Sequence, residues 1–171
     1  MPVTLEEVRS HLDARKVHYY LHPDNEALML PYRMGPRFSA KLLIRLENDG
    51  RFLLIRCDDF PMVEGSHPMI GELQQALLAM NNSKRFVKLS QDPTDGEISM
   101  TGEVWVEDME LSQAAFDRCM MNFLECLKEA SEAIESVLAG RGLPADELSA
   151  FQTDEPDGGE GETGDQARDA A

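Results

Sequence analysis

The sequence predicts an α+β fold, an antiparallel sheet of hairpins with helices packed on it, in the order α-β-β-β-β-α-β-β-α. Three observations carry this. FSAKLLIRLENDGRFLLIRCDDF (residues 38–60) sets two alternating apolar runs around Asp49-Gly50, a pair that tolerates the positive φ angles of a type I′ hairpin turn. RFVKLS and EISMTGEVWVED, joined by Gln91-Asp92-Pro93-Thr94-Asp95-Gly96, read as a second hairpin. Between and after the hairpins, apolar residues recur at helical spacing, with no internal repeat and no regular strand-helix alternation of the kind that builds a parallel sheet.

The elements follow in order. Thr4-Leu5-Glu6-Glu7 fits a capping box, and Leu5, Val8 and Leu12 share one face of a helix running to about Lys16. VHYYLH and EALMLPY are short apolar runs about His22-Pro23-Asp24-Asn25, a cluster of turn formers, and predict two strands with a tight connection. In the Asp49-Gly50 hairpin, Asn48 opposite Arg51 pairs Leu46 with Leu53, Ile44 with Ile55 and Leu42 with Cys57, one uniformly apolar face. The other face pairs Glu47 with Phe52, Arg45 with Leu54 and Leu43 with Arg56. It is more apolar than a solvated face needs to be, and cover by another element or a partner is expected.

His67-Pro68 opens a second helix through PMIGELQQALLAMNN, with Met69, Leu73, Leu77 and Met80 on one side and Asn81-Asn82 as its stop. In the second hairpin Ile98, Met100, Val104 and Val106 alternate inward. A long helix then spans roughly Ser112 to Ala139, ended by Gly140 and Gly142, and Leu143-Pro144-Ala145-Asp146 begins a further turn.

Composition bounds the function. The 171 residues carry a formal charge of −16, which opposes broad attraction to nucleic acid or anionic lipid. Residues 152–171 hold seven acids, one base and no large apolar side chain, so they predict a disordered acidic tail after a single domain over residues 1–151. The remainder, with 15 bases and 25 acids, is still acidic at −10. No basic segment followed by an apolar run stands at the N-terminus and no stretch approaches a membrane span. The expected compartment is the cytoplasm, with neither membrane nor nucleic acid as a partner.

CMMNFLEC (residues 119–126) concentrates sulfur and raises the possibility of a soft-metal site. On a helix, Cys119 and Cys126 stand about 10.5 Å apart along the axis, too far for one ion at about 2.3 Å from each sulfur. At about 100° per residue, both thiols fall beside the stripe of Phe116, Phe123, Leu127, Ala130 and Ile134, where free Cys packs as a small hydrophobe. Met121 projects among charges and Leu124 sits at the border. The stripe covers about half the circumference, wider than the ~100° needed to rest on one surface. A second contact is therefore expected for Met120, Met121 and Leu124: another helix, the Leu143 to Phe151 segment, or a second subunit.

His18 and His22 lack a carboxylate at ligand spacing, His11 lies on a polar helix side, and His67 precedes a helix-opening Pro, so no metal or other cofactor is expected. No nucleophile elbow, phosphate loop or zinc-protease motif is present. Asp58-Asp59 at a strand end, with a nearby His or Arg, is the best candidate for an enzyme or small-molecule sensor, but adjacent acids before Phe-Pro serve more often as turn residues. Against this stands a local excess of base, with Arg33, Arg37, Lys41, Arg45, Arg51 and Arg56 against Glu47 and Asp49. The register places Arg45 and Arg56 on the face of Leu43, Phe52 and Leu54, and apolar area interleaved with Arg is the composition of a protein-binding surface.

The run Leu77-Leu78-Ala79-Met80-Asn81-Asn82, then Arg85-Phe86-Val87-Lys88-Leu89, Asp95-Gly96-Glu97-Ile98 and the helix from Phe116 to Leu138 resembles the YbjN-type bacterial domain family over roughly residues 3 to 140. Members are labelled sensory-transduction regulators and are similar in fold to the small, acidic, dimeric type III secretion chaperones. The acidic tail and the Met- and Cys-rich last helix depart from that pattern. The resemblance implies a type III secretion chaperone-like fold and a non-enzymatic adaptor or chaperone-like regulator. Such a protein presents a sheet and helix surface to another polypeptide, as a homodimer; no catalytic residues carry over.

Overall fold

The computed structural model of the protein describes residues 2–24, 26–34, 38–106 and 110–143. The domain boundary expected at residue 151, the acidic tail, the turn expected after Leu143 and the side chain of Arg37 lie outside the described residues.

The chain forms α1 (Leu5–Ala14), β1 (Tyr20–Leu21), β2 (Ala27–Met34), β3 (Phe38–Glu47), β4 (Phe52–Cys57), α2 (Ile70–Ser83), β5 (Val87–Gln91), β6 (Ile98–Trp105) and α3 (Gln113–Leu138). This is the predicted order. The six strands make one sheet, β1-β2-β3-β4-β6-β5, antiparallel at every pairing. The central hairpin has the predicted register, from Leu42 opposite Cys57 to Glu47 opposite Phe52. Asp49 and Gly50 take the positive φ a type I′ turn needs, +56° and +82°, but Asn48 does so as well, at +50°, and Arg51 N–H donates to Glu47 O at 3.1 Å, so the turn is wider than the expected two-residue one. Val3 N–H donates to Gly50 O at 3.2 Å, and a Cβ on Gly50 would lie 2.2 Å from Val3 O, so only Gly fits beside the N-terminal segment.

The register lines up one row across the sheet, Leu28, Ile44, Ile55, Gly102 and Val87, and a second, Leu30, Leu42, Cys57, Met100 and Leu89. Every residue in both rows is buried. Phe116, Phe123, Leu127, Ala130, Ile134 and Val137 of α3 join this core, with Val8 and Leu12 of α1 and Leu73, Leu77 and Met80 of α2. The three helices therefore form one layer on one face. The stripe on α3 is the predicted one, with Cys119 and Cys126 half-buried at its side and Met121 57% exposed. Burial holds the Cys57 thiol well above its usual range, at about 11.

Four further local features differ from expectation. Strand β1 keeps only two residues. α2 begins at Ile70, because Pro68 and Met69 form a turn in which His67 Nδ1 accepts from Met69 N–H at 3.2 Å. Asn81 does not stop α2. Its amide accepts from Leu89 N–H at 2.7 Å and donates to Leu89 O at 2.8 Å, tying α2 to the β5 edge. His11, expected on a polar side, is half-buried and stacks on Phe116 with centroids 5.3 Å apart. Pro31 sits within β2 without disrupting the sheet, since β1 covers only Leu28 and Met29 and leaves β2 an edge at Pro31.

Candidate functional site

Two surfaces have the makings of a site, one on each face of the sheet. On the face away from the helices, β2 presents Met29, β3 presents Lys41, Leu43, Arg45 and Glu47, and β4 presents Phe52, Leu54 and Arg56. β6 adds Thr101, Glu103 and Trp105. Among the described residues no helix covers this face, and the expected cover is not found among them. Phe52 lies opposite Trp105, their ring centroids 3.8 Å apart and tilted by 48°. Trp105 is 62% exposed.

The five residues singled out from the sequence, Leu43, Arg45, Phe52, Leu54 and Arg56, do share this face, but they are not equivalent. Leu54 is only 6% exposed, hemmed by Arg45 and Glu103 on the flanking strands, and has little area to offer. Arg45 pairs with Glu47, and Arg56 Nε donates to Asp58 at 2.7 and 3.0 Å. Both cations are thus held along their own strand while remaining about half exposed. Trp105 was not singled out by sequence reasoning. The signal was available, because Trp105 alternates out of phase with the inward Val104 and Val106, but only the β4–β6 pairing places it beside Phe52.

The second surface is a groove of about 490 Å³ on the helix side. Its floor is Leu30, Tyr32 and Leu42, one wall is Leu12, Arg15 and Val17, and the other is Phe116, Asp117, Met120, Met121 and Leu124. The structure thus brings together Met120, Met121 and Leu124, the three residues expected to need a second contact. α1 and α3 converge at one end of the groove. There His11 meets Gln113 Oε1 at 2.9 Å and Leu111 O at 2.6 Å, and Gln113 Nε2 donates to Asp117 at 2.9 Å. Arg15 forms a bidentate pair with Asp117. The Arg15 guanidinium, and next the Gln113 amide, hold the Asp117 carboxyl below the usual carboxylate range.

The acids considered for chemistry are occupied structurally. Asp58 holds Arg56, and Asp59 accepts from Lys41 N–H beside an open hollow of about 310 Å³. Among the described residues no three His, Cys, Asp or Glu side chains gather as metal ligands, and no helix is long and apolar enough to cross a membrane.

Comparison with known proteins bears on this geometry. The structure of YbjN, "a putative transcription regulator from E. coli", matches with TM-score 0.59 and 20% identity, covering 83% of this chain and 96% of that one. The heterodimeric complex ExoU-SpcU from the type III secretion system of Pseudomonas aeruginosa contains a chain matching at TM-score 0.48 and 18% identity, covering 77% of this chain and 97% of that one. The HopA1-SchA chaperone-effector complex contains one at TM-score 0.48 and 16% identity, covering 77% of this chain and 100% of that one. A search of curated proteins finds no match. The sequence profile of the YbjN family, described as "Putative bacterial sensory transduction regulator", matches residues 4–136. The chain, whose α-β-β-β-β-α-β-β-α order spans that match, belongs to the YbjN family.

Proposed function

We propose that this protein is a non-enzymatic interaction module, an adaptor-like regulator that holds a segment of another polypeptide on the open face of its sheet. The observation that carries this reading is the exposed Phe52–Trp105 pair on an uncovered face. Aromatic and Arg side chains dominate the energetics of protein interfaces. The same face bears Lys41, Arg45, Arg56 and Lys88 against Glu47, Asp58 and Glu103, an excess of base in an acidic chain. The partner chemistry that fits is a polypeptide segment with apolar and acidic side chains.

The partner lies on the face rather than extending the sheet. At the β5 edge the Asn81 amide already occupies the backbone N–H and C=O of Leu89, and β1 at the other edge is two residues long. Both devices blunt strand addition. The absence of catalytic motifs from the sequence and the ion-paired state of Asp58 support a non-enzymatic role.

Trp105 is the single tryptophan, so partner binding reports on itself. Partners captured from cell extract by the tagged protein, then purified, shift the Trp105 emission to the blue on titration. Capture of the same partners is lost in Phe52→Ala/Trp105→Ala and weakened in Arg45→Glu/Arg56→Glu. Retention of those partners by the aromatic double variant, with unfolding unchanged, refutes the assignment of the face.

A further inference from the structure

On the open face of the sheet most of the positive charge is already answered within the chain. Arg45 pairs with Glu47, Arg56 with Asp58, and Lys88 Nζ lies 3.3 Å from Glu103. Arg33 and Lys41 differ: both are exposed, and among the described residues no carboxylate stands within ion-pair distance of either side chain. The excess of base on this face is therefore gathered at one end.

Strand alternation brings the two cations together. In the β2–β3 register Arg33 lies opposite Ser39 and Pro31 opposite Lys41, so the alternation that buries Ala40 and Leu42 sends Ser39, Lys41 and Arg33 to the open side. All three line the hollow of about 310 Å³, with Asp59. Asp59 is turned to the backbone, where it accepts from Lys41 N–H, and two cations against its one carboxylate leave the hollow positive. Such a recess suits one further carboxylate, with the Ser39 hydroxyl as an additional donor.

We propose that this hollow receives an acidic side chain, Asp or Glu, of the polypeptide segment that seats an apolar side chain on Phe52 and Trp105. The inference rests on the reading of the open face as a polypeptide-binding surface and adds a spacing to it. Lys41 and Glu47 are six residues apart on β3, and Phe52 lies opposite Glu47. At about 3.3 Å per residue the two ends stand about 20 Å apart along the strand. An extended segment lying along β3 spans them when its apolar anchor and its acid are also six residues apart. The spacing is even, so both side chains project to the same side of the segment and meet the face together.

The test uses the full chain, isotopically labelled at nitrogen, and two blocked heptapeptides that carry Phe and Glu at opposite ends of a Ser-Gly spacer, one in each order. For one order at least, the Trp105 indole N–H and Arg33 Nε–H resonances shift along a single binding curve. Replacing the Glu of that peptide by Gln weakens binding about three- to fivefold, the scale of exposed charge contacts. The Arg33→Gln/Lys41→Gln chain no longer tells the two peptides apart, and a spacer that sets the acid three residues from Phe abolishes the Arg33 shift. Glu and Gln peptides bound alike by the parent, discrimination kept by the double variant, or an unmoved Arg33 resonance overturns the proposal. In each of those cases Trp105 still responds and the open face keeps its role. No Trp105 response to either peptide removes the reading of that face, and the proposal with it.

Discussion

Gly102→Ala tests how the sheet carries α3, and with it one wall of the groove. Gly102 lies on the helix-facing side of β6, between Ile55 and Val87 on the neighbouring strands. A Cβ there would sit 2.9 Å from Phe123 Cδ2 and 3.1 Å from Phe86 Cε1 and Cζ. Phe123 is fully buried and its ring has no free end to swing away. Overpacking of this sort costs about 1–3 kcal/mol, while the reduced freedom of the unfolded chain returns about 0.4–1 kcal/mol. The clash wins, leaving a net loss of roughly 1–2 kcal/mol. In urea, with a slope of about 1–3 kcal/mol/M, the midpoint falls by roughly 0.5–1 M. In a Phe123→Leu background the Gly102→Ala penalty shrinks, because the closest atom is gone, and a double-mutant cycle reads that coupling directly. A Gly102→Ala midpoint at or above that of the parent, or an unchanged penalty beside Leu, refutes the account of a backbone thinned to admit the ring.

Further outcomes follow from single sites. Thr4→Ala removes a capping box in which Thr4 N–H donates to Glu7 at 2.7 Å and Thr4 Oγ accepts from Glu7 N–H at 3.2 Å; a loss of about 1 kcal/mol is expected, and no change in the urea midpoint would discount the cap. Asp117, held below the usual carboxylate range by Arg15, contributes stability that is present above its unfolded pKa and is lost as pH falls through the lower folded value. Asp117→Asn therefore flattens the acid limb of a stability–pH profile and leaves its slope near neutrality unchanged; an acid limb identical to the parent's counts against the pair. Cys57, raised to about 11 by burial, has only about one thiol in a thousand ionised at pH 8. Its alkylation, followed by peptide mapping, proceeds at the rate of unfolding; prompt labelling in the native protein contradicts its placement.

Much of this fold was legible because period and turn chemistry agree. From residue 38 to residue 60 the alternation of apolar residues admits one register about Asp49-Gly50, and slipping it by one would turn Leu42, Ile44, Ile55 and Cys57 to the other face. The α3 stripe was legible for the same reason, with a period set by the helix alone. What was not legible depends on contacts between distant segments. Asn81 reads as a helix stop, yet Leu89 lies within reach of its amide and tertiary hydrogen bonds override the local preference. His11 reads as a surface residue, but its partners Leu111, Gln113 and Phe116 are about a hundred residues away. Trp105 comes to lie beside Phe52 only when β6 pairs with β4. Met121 was flagged by its angle on the helix, whereas the groove it borders required α1 and β2 to be in place.

The two candidate surfaces have a common origin in the architecture. Among the described residues, a six-stranded sheet with a helix layer on one side leaves its other face open, and α1 and α3, joined at His11, Arg15 and Asp117, border a groove whose floor is Leu30, Tyr32 and Leu42. The open face holds an aromatic pair beside strand-paired Arg, and the groove holds aliphatic, aromatic and Met side chains around one ion pair. Apolar area ringed by paired charge is the composition of a protein-contact surface, and the sheet edges are blunted at Leu89 and cut short at β1. This composition is what the proposed contact role rests on.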